Sequence, residues 1–126
     1  DMYVSQKKYS EALRIYDSIY NQFQNHSLND DILFRKSQVF KIQQMQDKAI
    51  DALKQLEEEF PGSIILDKAL FSIAKLYEED LNDFESAKKY YRKILFDHPS
   101  SLYVIDARKR FRKLSGKTNQ NINKSS

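Results

Sequence analysis

Residues 70–99 read LFSIAKLYEEDLNDFESAKKYYRKILFDHP, and this stretch decides the fold. Apolar side chains recur in it every three or four positions, first over residues 70–77 and again over residues 84–95. That spacing predicts two amphipathic helices. Asn82 and Asp83 lie between them, where a short polar side chain can cap the start of the second helix. The stretch is therefore predicted to be a helix–turn–helix pair.

The same pattern recurs along the chain. Residues 87–94 superpose on residues 49–56 at an offset of 38 residues, and residues 49–56 superpose on residues 12–19 at an offset of 37; each copy begins with a small alanine. Residues 70–77 superpose on residues 33–40. One helix pair cannot bury its apolar stripe alone, whereas stacked copies can. The sequence therefore predicts an all-α fold, a right-handed helical solenoid of antiparallel helix pairs with a period of about 37–38 residues.

The predicted array covers residues 1–115. Its segments are a partial repeat at 1–24, repeats at 29–60 and 64–97, and a closing helix at 101–115. Because the chain opens Asp-Met-Tyr and its first helix is expected to end near Ser5, we expect it to be a piece of a longer protein with residues missing upstream. Gly116 is expected to cap the closing helix. Residues 116–126 have no periodicity and are predicted to be a disordered tail.

Short polar side chains stand where the other helices are expected to begin. They accept hydrogen bonds from the unpaired N–H groups of a first turn. The predicted N-caps are Ser10, Asn29, Asp47, Ser63 and Ser100 or Ser101.

Composition makes an enzyme unexpected. The 126 residues include no Cys, only two Gly and two Pro, and no glycine-rich phosphate loop or nucleophile motif. His26 and His98 lie in predicted turns without a second ligand at metal spacing. The clusters at residues 57–59 and 78–80 are acidic, but sequence neighbours do not share a helix face, so we expect solvated surface there. No catalytic residue, cofactor or metal is predicted.

The third helix pair resembles the tetratricopeptide repeat. The residues that carry the resemblance are Leu70, Ile73, Ala74, Tyr77, Phe84, Ala87, Tyr91, Ile94 and Pro99. The resemblance implies a scaffold for protein–protein interaction. The chain is similar to a subclass found in bacterial envelope proteins in three features: inserted turn residues, Pro-x-Ser before the next helix (residues 61–63 and 99–101), and Asp-Ala inside that helix at Ile105-Asp106-Ala107. The subclass includes the lipoprotein of the barrel-assembly machinery and the Tol–Pal coordinator. That likeness implies a periplasmic or outer-membrane setting for the parent protein; a cytoplasmic one stays open.

The resemblance also implies a concave groove lined by the first helix of each pair. Carried over residue by residue, the groove comprises Phe34, Gln38, Lys41, Lys68, Phe71, Lys75, Glu78, Lys109 and Lys113. Phe34 and Phe71 are the expected apolar anchors for a bound peptide, and the lysines suit acidic residues in it. The alternative is that both rings pack between repeats and leave the groove without anchors.

The C-terminal end is strongly basic. Residues 107–126 carry seven Lys or Arg and no acidic residue. The basic patch is Arg108, Lys109, Arg110, Arg112, Lys113 and Lys117. It suits either electrostatic attraction to an acidic partner or a solvated terminal helix; no nucleic-acid partner and no membrane span are expected. The predicted function is a non-catalytic scaffold that binds a peptide or protein segment in the groove, and the alternatives are an architectural spacer and an electrostatic binder.

Overall fold

The computed structural model describes residues 2–24, 26 and 28–124, and the side chains of residues 5–24, 26 and 28–116. The described residues form helices and no strand, which confirms the all-α class. The helices are α1 (Met2–Gln22), α2 (Asn29–Ile42), α3 (Gln46–Glu59), α4 (Leu66–Lys75), α5 (Phe84–Asp97) and α6 (Val104–Lys124). The chain divides into two compact units, unit 1 at Asp1–Leu66 and unit 2 at Asp67–Ser126.

Unit 1 is organised around the helix pair α2 and α3. Leu33, Leu53 and Leu56 are almost completely buried, and Ala49 is fully buried where a larger side chain would hold the helices apart. α1 packs against α2. The residues with helical spacing in the sequence are therefore the ones that form this core.

The start of the chain differs from the sequence prediction. α1 runs without interruption from Met2 to Gln22, so the expected helix end near Ser5 and the expected cap at Ser10 are both wrong. No Pro or Gly lies in this segment, and serine inside a helix costs only a few tenths of a kcal/mol, roughly 0.5, relative to alanine. A polar residue between two apolar stripes was not enough to end the helix.

Unit 2 combines α4, α5 and α6. Its fully or almost fully buried residues are Ala69, Leu70, Ile73, Ala74, Ala87, Tyr91, Ile94, Ala107 and Leu114. α4 continues into a π-helical turn, Leu76–Asp80, in which the N–H of Leu81 donates to the carbonyl of Leu76 at 3.1 Å. α5 packs against this turn and against α6.

The two helix pairs turn without glycine. Gln44 and Asn82 adopt positive φ values of 62° and 52° at equivalent positions. After α2, the N–H of Met45 donates to the carbonyl of Phe40 at 2.8 Å, which closes a Schellman-type C-cap. The scarcity of Gly therefore does not prevent sharp turns, because side-chain-bearing residues take the left-handed position.

The predicted N-caps have different outcomes in the structure. Asp83 is confirmed: its carboxylate accepts from the N–H of Ser86 at 3.2 Å at the start of α5. Asp47 is wrong, because it lies inside α3. Asn29 is buried inside the first turn of α2, and its amide donates to the carbonyl of Phe23 at 2.8 Å. It satisfies the end of α1 instead of capping α2.

Ser63 and Ser101 do not cap α4 and α6 either, because those helices begin three residues later. Each hydroxyl accepts from the backbone N–H two residues on. Each also donates to an aspartate at 2.5 Å, Ser63 to Asp30 in unit 1 and Ser101 to Asp67 in unit 2. The turn serines are thus repeated links to the first helix of the preceding pair, α2 for Ser63 and α4 for Ser101.

α6 extends to Lys124, which corrects the prediction of a disordered tail from Gly116. Glycine in a helix interior costs about 1 kcal/mol relative to alanine, and it ends a helix only where the backbone turns left-handed. Gly116 has no such φ value, and no Pro follows Pro99. Ser125 and Ser126 of the predicted tail lie outside the described residues.

Candidate functional site

The predicted groove residues belong to both units. Phe34, Gln38 and Lys41 lie on α2 in unit 1, where Gln38 and Lys41 are exposed. The unit 2 members are Lys68, Phe71 and Lys75 on α4, Glu78 in the π-helical turn, and Lys109 and Lys113 on α6. Contacts around Phe71 and Glu78 join these unit 2 helices into one cluster.

Phe34 and Phe71 are not exposed anchors. Phe34 is 7% exposed and Phe71 is 8% exposed. The Phe71 ring stacks on Tyr103 with centroids 4.9 Å apart and meets the edge of Tyr91 at 5.8 Å. Because packing uses these rings, the expectation that both offer apolar contacts to a peptide is corrected, and the alternative of packed rings holds.

Two cations lie against the Phe71 ring. The guanidinium carbon of Arg110 is 5.9 Å from the ring centroid, and the Nζ atom of Lys75 is 6.0 Å from it. A cation over an aromatic face is attracted by the ring quadrupole. Phe71 therefore supports a positively charged surface formed by α4 and α6 within unit 2.

Glu78 is the buried acid of this cluster. It is 9% exposed, so the expectation of solvated surface across residues 78–80 is wrong at this position. Its Oε1 atom accepts from the Tyr91 hydroxyl at 2.7 Å and from Arg110 at 3.2 Å. Arg110 also donates to Glu79 at 3.0 Å. One arginine thus pairs with two consecutive carboxylates and connects the π-helical turn to α6.

The network changes the proton affinities of Tyr91 and Arg110. Burial, followed by the hydrogen bond to Glu78, raises the pKa of the Tyr91 hydroxyl far above its ordinary value. Burial on its own lowers the pKa of Arg110, but Tyr91 and the hydrogen bonds to Glu78 and Glu79 outweigh it and raise the pKa. Tyr91 is therefore neutral and Arg110 charged over the whole physiological range.

The basic patch is split by this network. Arg110 is half-buried and paired, whereas Arg108, Lys109, Arg112 and Lys113 are exposed and make no ion pair with any residue that the structure describes. Positions 109 and 113 share one face of α6, and positions 108 and 112 share the neighbouring face. The side chain of Lys117 lies outside the described residues.

Helix α6 also contacts α5 through an aromatic ring. The guanidinium carbon of Arg92 is 5.4 Å from the Phe111 ring centroid, which places a cation of α5 next to α6. The Phe111 ring is half-buried. Neither this contact nor the Arg110 network could be read from sequence, because both join residues about one half to one repeat apart.

No metal-binding or membrane-crossing feature was found within the described part of the chain. It contains no group of three or more His, Cys, Asp or Glu side chains placed to hold a metal ion. His26 uses its Nδ1 atom to accept from the N–H of Leu28 at 3.1 Å, a local turn contact. None of the described helices has the length and apolar character needed to span a bilayer.

The repeat pattern and these helix pairs match a known family. The model of the tetratricopeptide repeat matches residues 31–63 and 68–101, which together make up more than half of the chain. The chain belongs to the tetratricopeptide repeat family. The family assignment confirms the predicted solenoid class. Tetratricopeptide repeats generally mediate protein–protein interactions and are typically non-catalytic. No curated protein matches the chain, and membership of the bacterial envelope subclass stays a prediction.

Proposed function

We propose that this tetratricopeptide repeat chain binds an acidic, extended or helical segment of a partner protein on the face that α4 and α6 present in unit 2. The observation that carries the proposal is the charge balance on α6. Lys109 and Lys113 are exposed one helical turn apart without a described partner, while Glu78 and Glu79 both pair with Arg110. This face of α6 therefore carries two positive charges that no described carboxylate compensates.

The burial of Phe71 changes which side chains of a partner this face would recognise. Because the ring is covered, it contributes a support under Lys75 and Arg110 instead of a pocket for an apolar side chain. Exposed lysines keep their mobility and their hydration, so each contact is worth little alone and several are needed together. We therefore expect acidic residues in the partner to decide recognition, with affinity that falls as salt rises.

The test uses two double variants of the same helix. A fluorescein-labelled peptide of sequence DEELDE is titrated with the wild-type chain and followed by fluorescence anisotropy at low and high salt. Lys109→Glu with Lys113→Glu should weaken binding by about tenfold or more, because two favourable charges become repulsive. Arg108→Glu with Arg112→Glu changes the charge equally on the neighbouring face, so it is the matched control.

The two faces separate the candidate functions. Loss of binding confined to the 109/113 variant supports the proposal. Equal losses in both variants would point to the electrostatic binder, which uses the whole basic end. Absence of peptide binding by the folded wild-type chain at low salt would reject an acidic-segment site and favour the architectural spacer. Circular dichroism of each variant checks that the helices are retained.

A further inference from the structure

Unit 1 contains a cleft that the proposed binding of an acidic segment does not use. Its volume is about 670 Å³, and it opens between the start of α2, the end of α3 and the turn that follows α3. The apolar wall consists of Leu28, Phe60, Pro61, Ile64 and Ile65. A cleft of this size can admit one or two aliphatic side chains of a partner.

Two large aliphatic side chains in this cleft serve no packing role. Leu28 is 67% exposed and Ile64 is 94% exposed. A single exposed aliphatic residue on a protein surface is ordinary, but two that line the same cleft form a local apolar surface. Burying them against a partner would remove this surface from water, which is favourable.

The rim of the cleft is acidic. Its charged residues are Asp30, Asp31 and Glu59, and no Lys or Arg stands among the described residues that line it. The carboxylates are held in place: Asp30 accepts from the Ser63 hydroxyl at 2.5 Å, and Glu59 accepts from Gln55 at 3.2 Å. Held carboxylates lose little freedom when a cation binds.

The three carboxylates differ in whether a cation compensates their charge. Asp31 pairs with Arg35 at 2.7 Å. Asp30 accepts from the Ser63 hydroxyl and the Asp31 backbone N–H, and Glu59 accepts from the Gln55 amide, all of which are neutral groups. The excess negative charge therefore lies at Asp30 and Glu59.

We propose that this cleft is a second docking site, for a partner segment in which Lys or Arg flanks aliphatic residues. The aliphatic side chains pack on Leu28 and Ile64, and the flanking cations face Glu59 and Asp30. Charge complementarity selects this occupant, since an acidic segment would meet repulsion at the rim. The site prefers the opposite charge from the face of α6, so the two sites are independent.

The probe is the fluorescein-labelled peptide KALLAK, titrated with the full chain at low salt and followed by anisotropy. Two comparison peptides, EALLAE and KASSAK, remove the charge match and the apolar match separately. We expect each to bind about tenfold or more weakly than KALLAK, because each lacks one of the two recognised features.

Two variants test the cleft directly, and each has a matched control. Ile64→Ser and Glu59→Lys should each weaken KALLAK binding severalfold. Ile42→Ser changes another exposed isoleucine of unit 1, and Glu58→Lys changes the exposed neighbour of Glu59, so both should bind as wild type does. All four positions are exposed, and circular dichroism should show an unchanged helix content.

Other outcomes overturn the proposal. Equal binding of KALLAK and EALLAE, or wild-type binding by both Ile64→Ser and Glu59→Lys, would remove the cleft as the site. Self-association in analytical ultracentrifugation that Ile64→Ser abolishes, without peptide binding, would assign the cleft to a second copy of the chain. The Lys109→Glu, Lys113→Glu variant should retain KALLAK binding, so failure of this site and failure of the acidic-segment site are distinguishable.

Discussion

The hydroxyl of Tyr91 donates to Oε1 of Glu78 at 2.7 Å, which links α5 to the π-helical turn at the end of α4. Tyr91 is fully buried and Glu78 is 9% exposed. A buried carboxylate is tolerated only when it is paired and hydrogen-bonded, and here Arg110 supplies the charge. This buried link joins the helix pair α4 and α5 and ties it to the face on which we propose partner binding.

Removing the hydroxyl should destabilise the chain. Tyr91→Phe keeps the ring but leaves Glu78 with one hydrogen bond fewer, at an expected cost of about 1–3 kcal/mol in the free energy of unfolding. Urea unfolding followed by circular dichroism measures the change. Tyr16→Phe, at a position that is not buried, is the control and should stay within about 0.5 kcal/mol of wild type. An equal effect of the two substitutions would contradict the link.

The same hydroxyl predicts a pH dependence. The folded pKa of Tyr91 is raised above its ordinary value of 10.0 by burial and by Glu78. Above that ordinary value the unfolded chain releases the proton while the folded chain retains it, so this contribution is complete below pH 10 and is lost as pH rises. The stability difference between wild type and Tyr91→Phe should therefore shrink above pH 10 and be constant at neutral pH.

Replacing Arg110 should lower the free energy of unfolding, because its charge compensates the buried carboxylate of Glu78. Its side chain is 30% exposed, so solvent screens part of the pairing, and we expect Arg110→Gln to cost about 1–2 kcal/mol. Combining it with Glu78→Gln should recover part of that loss, because the uncompensated buried charge disappears. A double-mutant cycle from urea unfolding gives the coupling, and strictly additive effects would argue against a stabilising pair.

Gln44 offers a stabilising substitution. Its φ of 62° is in the left-handed region, which side-chain-bearing residues adopt at a cost. Gln44→Gly should raise stability by about 0.5–1 kcal/mol, since the relieved strain exceeds the added freedom of the unfolded chain. Asn82→Gly is the comparison, with a smaller gain expected because Asn tolerates this region well. A lower melting temperature for Gln44→Gly would count against the argument.

The core of unit 1 should respond to truncation. Leu53 is 1% exposed, and Leu53→Ala should cost about 2–5 kcal/mol because a cavity is left in a close-packed interior. Ile42→Ala removes a similar side chain that is 58% exposed and should cost far less. Thermal unfolding of both variants measures the difference. A Leu53→Ala chain that melts with the wild type would place Leu53 outside the core.

Much of the fold could be predicted from local patterns. Helical spacing and the repeated alanines identified the helix pairs and the core residues Leu53, Tyr91 and Ile94, because a residue's position on a helix face depends only on its neighbours. Helix ends were less predictable. Asn29 has the chemistry of an N-cap, but in the fold its amide reaches the carbonyl of Phe23 on the preceding helix.

The candidate site was less accessible to prediction. Family likeness predicted Phe71 as a groove residue from its helix position, but its exposure depends on Tyr103, which arrives from the following segment. The acid-rimmed cleft had no signal in the sequence, since Leu28 and Ile64 are ordinary turn residues until the fold brings them to one surface.

The sequence by itself determined the helices, the repeat and the tetratricopeptide class, because these follow from a periodicity that is written locally and copied along the chain. Tertiary structure alone decided which of the equivalent residues are available to a partner. Burial of Phe71, pairing of Arg110 with Glu78, and the spare charge of Lys109 and Lys113 all depend on contacts between helices. Such contacts join residues a repeat apart, and no local pattern of side chains encodes them.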